Sequence, residues 1–266
     1  MTQKDALLKD ALLKDALLRD VSLKDAFIKD ALQKDALQNA LTTFDEAIKA
    51  DETNGQAYAW KACALGQGMS RGFIEGDMAE IWSEAEGCLK KAHELNDNDF
   101  EVHRLMAEVN LSGRNFRVAE RHASKAFKMV PNDPRVLSVY GEVSLRLGKI
   151  DQGLDALKLA LEIDPIAQGK TNSDSRTSPV LFGEYLARNK DNCLELIENL
   201  EDIDPKSWLL TAKLCSDEEH DITEEDWYKR GKEEFKDKDW STEVDSFRLN
   251  NEGAKESLIE FAESLY

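Results

Sequence analysis

A chain of 266 residues with 41% hydrophobic content can bury a sizeable core, which excludes disorder along its whole length. Its 53 acidic against 35 basic side chains leave a net charge of −18, which repels phosphate backbones and anionic lipid heads and excludes nucleic acid and membrane as partners while admitting a basic peptide. No run approaches the roughly 18 consecutive apolar residues of a membrane span, and the four cysteines, Cys63, Cys88, Cys193 and Cys215, form no CxxC pair, so a cytoplasmic chain with free thiols is expected.

From Lys4 to about Gln38 a pentad recurs with drift, as in Lys4-Asp5-Ala6-Leu7-Leu8, Lys9-Asp10-Ala11-Leu12-Leu13 and Lys24-Asp25-Ala26-Phe27-Ile28. The period sets each Asp four residues before the next cation, as in Asp5 with Lys9, Asp10 with Lys14 and Asp15 with Arg19. That is the favourable order for helical ion pairs, each worth about 0.2–0.5 kcal/mol. Five residues also rotate the apolar pair by roughly 140° along a helix, so the leucines spiral and form no single stripe. Such a segment packs on several sides, self-associates through residues 1–38, or breaks into two shorter helices. The alternative is a pentapeptide β-helix, to which Ala-Leu-Leu-Lys-Asp bears a loose likeness. Against it, the middle residue of that motif's triplet faces solvent and here is usually Leu, and seven pentads complete fewer than two four-sided coils. Helix propensity and the charge order favour the helix.

Beyond Ala40 the period lengthens to about 34 residues. Ala40, Phe44, Ala47 and Ala50-Asp51 read as the second helix of a unit whose first helix lies inside the pentads. The next unit opens at Gly55 with Tyr58 and Trp60 and closes with Ala85, Leu89, Ala92, Leu95 and Asn96-Asp97. It exceeds the standard length by roughly eleven residues, and the surplus is expected in the turn-rich stretch from Gly66 to Gly72. In Phe100 to Asp133, Met106 and Ala107 occupy the Leu-Gly positions, Ala119 and Ala126 let helices approach, and Pro131 closes the second helix. In Pro134 to Ala167, Leu137, Tyr140, Gly141 and Ser144 are followed by Gly153, Leu157, Ala160, Ile163 and Asp164-Pro165. The polar run 168–179 predicts a linker loop. A degenerate unit follows with Phe182, Gly183, Leu186, Cys193, Ile197, Leu200 and Asp204-Pro205. Lys206 to Cys215 starts a further helix, Thr223 and Asp226 resemble a capping box before Trp227-Tyr228, and Asn251 to Leu265 reads as an amphipathic cap.

The phrases Tyr58-Ala59-Trp60-Lys61-Ala62-Cys63-Ala64-Leu65-Gly66-Gln67, Asn96-Asp97-Asn98-Asp99-Phe100-Glu101-Val102-His103-Arg104 and Asn132-Asp133-Pro134 carry a family likeness. Between Ala40 and Pro165 the chain resembles tetratricopeptide repeat proteins, and more narrowly the repeat regions C-terminal to class III adenylate cyclase and winged-helix regulator modules of proteobacteria. The resemblance implies an all-α fold, a right-handed superhelix of helix hairpins whose concave face receives a peptide or a partner helix. No cyclase metal-binding aspartates or substrate lysine are visible. The expected organisation is a pentad-repeat helical segment at 1–39, repeats at 40–167, a linker at 168–179, and a degenerate repeat with capping helices at 180–266.

Candidate chemistry is sparse. Gly66, Gly68 and Gly72 follow a predicted helix rather than a strand and lack the Gly-Lys-Ser/Thr ending of a phosphate loop. His103 and His122 fall on two helices of one repeat beside Glu101 and Glu120, where a metal is conceivable, but half-buried histidines are the plainer reading. The acidic stretches 217–221 and 224–226 lack the spacing of a calcium loop. The five tryptophans read as packing residues. No catalytic residue, cofactor or metal is therefore assigned. Projecting the inner face of the first helices gives a peptide-binding groove of Glu101, Arg104, Glu108 and Ser112 in one unit and Arg135, Ser138, Glu142 and Arg146 in the next. The expected function is a non-catalytic scaffold or adaptor that binds a protein or peptide. A regulatory module acting on a separate output protein and a structural protein assembling through the pentads are the alternatives.

Overall fold

The computed structural model describes residues 34–70, 72–167, 170 and 172–266. The pentads before residue 34 lie outside it, and with them the expectations of a long pentad helix and of self-association. The described residues are helical and contain no strand. They divide into two units at Asp97 and Asn98.

The first unit holds α1 (residues 34–50), α2 (Gly55–Ser70) and α3 (Met78–Leu95). Lys61 of α2 ties the three helices, with Nζ 2.6 Å from Asp45 of α1 and 2.6 Å from Glu84 of α3. Burial alone would lower its pKa, but the two carboxylates reverse the shift and hold the ammonium charged. The turn expected from Gly66 onward starts later, because α2 continues to Ser70 and the described part of the connection to α3 is residues 72–77. Gly68 is a packing glycine: a Cβ there would stand 2.3 Å from Ile74 and 2.8 Å from Leu37. Its helical neighbours override the turn preference. Gly72, at φ +66, makes the exit turn.

The second unit contains α4 (Phe100–Ser112), α5 (Phe116–Met129), α6 (Pro134–Arg146), α7 (Ile150–Ile163), α8 (Asp174–Leu186), α9 (Lys190–Glu198) and α10 (Pro205–Asp217). These are followed by α11 (Asp226–Glu234), α12 (Trp240–Ser246) and α13 (Glu252–Ser264). Asp99, Asp133 and Asp204 cap α4, α6 and α10, each accepting from a backbone N–H of the first turn. In α6 and α10 a proline follows the cap, where its missing N–H costs nothing. The hairpin turns also repeat. Arg114, Gly148, Arg188 and Glu219 all have positive φ, and after each a backbone N–H reaches back to a carbonyl near its helix end: Asn115 to Asn110, Lys149 to Ser144, Asn189 to Glu184 and His220 to Cys215. This is one helix-ending motif used four times.

Small residues set the hairpin spacing. A Cβ at Gly141 would lie 2.9 Å from the Gly153 carbonyl, and one at Gly153 would meet Gly141's at the same distance. Ala119, Ala126 and Ala160 are fully buried. The C-terminal core gathers on Trp208, which is fully buried, stacks on Tyr228 and Trp240, and donates from Nε1 to the Tyr228 carbonyl at 3.2 Å. A Cβ at Gly231 would stand 2.3 Å from that indole. α13 closes this core with Leu258 and Ala262. The stretch expected as a linker is helical from Asp174 onward, with Pro179 inside α8.

Candidate functional site: the inner helical row

α4, α6, α8 and α10 lie side by side and form the inner row of the second unit. Six of the eight groove residues projected from sequence make polar contacts within the chain. Glu101 and Arg104 are buried and bonded twice, Nε to Oε2 at 3.1 Å and Nη2 to Oε1 at 2.8 Å, while Arg104 Nη1 donates to Glu108 at 2.5 Å. Burial nonetheless raises the Glu108 pKa. Arg135 joins α6 to α4, donating to Glu101 at 3.0 Å and to its own cap Asp133 at 2.8 Å. Burial pushes the Asp133 pKa up, but the Arg135 bonds outweigh it and the net shift is down. Ser138 donates to the Pro134 carbonyl at 2.9 Å and accepts from Arg176. Ser112 is exposed at the end of α4.

Arg176 was not visible as a site residue because its repeat is degenerate. It is buried, and it fastens α8 to the preceding hairpin through Asp164 Oδ2 at 2.8 Å, the Asp164 carbonyl at 3.2 Å and the Pro134 carbonyl at 3.2 Å.

The lower part of the row is different. Arg146 is 7% exposed, and its guanidinium carbon lies 4.2 Å from the Phe182 ring centroid. Its Nη2 donates to the Phe247 carbonyl at 3.0 Å, and its solvent-inaccessible Nε and Nη1 have no hydrogen-bond partner among the described residues. Lys206 Nζ stands 5.4 Å from the same ring. Burial lowers the pKa of both cations; Glu142 counters that shift, and Arg248 adds to it. Two cations thus pack on one aromatic ring, with the Glu142 carboxylate near both and the Asp204 carboxylate near Lys206. The 245–250 segment borders this cluster, since Asn250 donates to the Arg146 carbonyl at 3.3 Å and Arg114 donates to Asp245 Oδ2 at 2.6 Å. The Arg114 and Lys255 bonds hold the Asp245 pKa down at about 2.

His103 and His122, the pair weighed as a metal site, stack with centroids 5.1 Å apart and their Nδ1 atoms 2.8 Å apart. That distance needs one Nδ1 to donate and the other to accept, so both atoms face each other. Their sequence companions are engaged elsewhere, Glu101 with arginines and Glu120 with Lys149 at 2.5 Å.

No protein-family model matches the chain. Cellulose synthase operon protein C of Pseudomonas fluorescens (strain SBW25) is 27% identical over 141 residues, which is 50% of this chain and 11% of that protein. The chain therefore spans about a tenth of that relative's length. Among solved structures, pilF of Pseudomonas aeruginosa aligns with a TM-score of 0.55 at 17% identity, covering 77% of this chain and 85% of that one. PilW, a type IV pilus biogenesis factor, aligns with a TM-score of 0.60 at 13% identity, covering 78% and 90%. These likenesses show the fold, a tetratricopeptide-type array of helix hairpins.

Proposed function

We propose that the chain is a non-catalytic interaction scaffold whose inner row binds an acidic peptide or partner helix at Arg146, Lys206 and Phe182. The observation that carries this is the pair of cations, Arg146 and Lys206, packed on the one Phe182 ring. A partner carboxylate brought to the half-buried Lys206 ammonium would relieve the repulsion between the two cations. The upper residues, Glu101, Arg104, Glu108, Arg135 and Ser138, serve as the rigid frame, and Glu142 limits how much anion the site accepts. Stacked hairpins hold all of these at fixed spacing, which keeps the ordering cost of binding low on the receptor side. No described helix is long and apolar enough to cross a membrane, and a cytoplasmic location belongs to this same reading. The regulatory alternative, a module acting on a separate cyclase-type output, rests on the sequence phrases around Tyr58 and Asn96 alone.

The test is fluorescence anisotropy of the full chain with a labelled acidic-aromatic peptide library. Selected peptides should lose about tenfold or more in affinity with Arg146→Gln plus Lys206→Gln, as expected when a charge-assisted pair is removed. Unchanged affinity in that variant, with its helix content intact, would remove this site from the account.

A further inference from the structure

A second surface lies outside the inner row, where the end of α9 meets the start of α11. Its floor is apolar, made by Ile197, Leu200 and Trp227, and the cleft above it measures about 380 Å³. Four carboxylates stand round it, Glu198 from α9 and Glu224, Glu225 and Asp226 from α11 and the residues before it, against the cations Arg230 and Lys229. Glu224 pairs with Lys229 at 2.8 Å. Among the described residues Glu198, Glu225 and Asp226 form no ion pair. Trp227 is 4% exposed, so its ring closes the bottom of the cleft.

The helix macrodipole favours acids in the first turn of α11, and that accounts for Asp226 and Glu225. It does not account for Glu198, which comes from another helix, or for the apolar floor of Ile197, Leu200 and Trp227. Negative rim and apolar floor fit one kind of group. A long cationic side chain lays its methylene stem on apolar surface and keeps its charged head among carboxylates.

We propose that the α9–α11 cleft is a second docking site, one that takes a lysine or arginine side chain presented by a basic peptide. It is independent of the inner-row reading, which calls for an acidic partner. A chain with both surfaces holds two segments of opposite charge, or two stretches of one partner, in a fixed relation.

The test uses the full chain and fluorescein-labelled glycine-rich peptides carrying either lysine or ornithine, which has the same charge on a shorter stem. Anisotropy should show tighter binding of the lysine peptide, and Glu198→Gln with Glu225→Gln should weaken it by about tenfold. Both are exposed, and Glu225 makes no side-chain cap bond, so the variant keeps its fold. Glu256→Gln with Glu260→Gln, exposed on α13 and equal in charge, should leave binding unchanged. Arg146→Gln with Lys206→Gln should also leave it unchanged, which separates this site from the inner row. Equal affinity for the two peptides, or equal loss in the α13 variant, would overturn the proposal in favour of general attraction to an acidic surface.

Discussion

Arg104 shows how this fold treats a charge that it has taken out of water. The guanidinium sits between two carboxylates, and a second arginine, Arg135, arrives from the next repeat to complete the set. Removing one partner of a buried set strands the others, whereas removing a half-exposed partner does not. Arg104→Leu should therefore destabilise the chain by about 3–5 kcal/mol in urea unfolding, and Arg135→Leu by about 1 kcal/mol or less. Equal losses would mean that the network is not organised on Arg104. The same residues show what sequence reading could reach. Helical projection placed Glu101, Arg104 and Glu108 on one face, as the structure does, and their i,i+3 and i,i+4 spacing already allowed them to pair with each other. Whether a polar residue on an inner face meets a partner or its own neighbour depends on burial, which one helix's periodicity does not report. Lys206 and Phe182, by contrast, come together only through the packing of α10 against α8. Nothing in their spacing announces it.

At the scale of elements, legibility followed the caps and small residues. Asn-Asp-Pro marked the start of α6, and Gly141 with Gly153 marked its close approach to α7. The positive-φ turns were harder to see, because three of the four carry Arg or Glu where glycine would announce the motif. α8 began inside the polar stretch 168–179 because Arg176 and Thr177 bond into the fold, which outweighs the loop preference of the residues around them. The glycines of α2 were read as a turn, yet Gly66 sits within a helix with open space where its Cβ would go. Two substitutions with opposite outcomes follow from backbone conformation. Gly148→Ala forces a side chain into left-handed backbone and should cost about 1–2 kcal/mol. Gly66→Ala should stabilise by about 0.5–1 kcal/mol, by restricting the unfolded chain and favouring helix. Thermal denaturation should order them with Gly66→Ala above the parent and Gly148→Ala below it, and the reverse order would show that the backbone conformations are wrong.

On the scale of the whole molecule, a net charge of −18 gives the chain a general pull on cations, yet the second unit packs a buried Arg146 and a half-buried Lys206 on one aromatic ring. That inversion of local charge against global charge is what makes an acidic partner selective, since long-range repulsion rejects acidic segments that do not reach the site. Residues 1–39, proposed as a separate pentad segment ahead of the repeats, add self-association to the possible roles of the chain without altering this face. Hydrogen exchange followed by mass spectrometry on the full chain, with and without a saturating acidic-aromatic peptide, tests the central claim most directly. Protection is expected in the C-terminal half of α6, at the start of α10 and across residues 245–250. Protection confined to other helices, with those three segments unchanged, would contradict it.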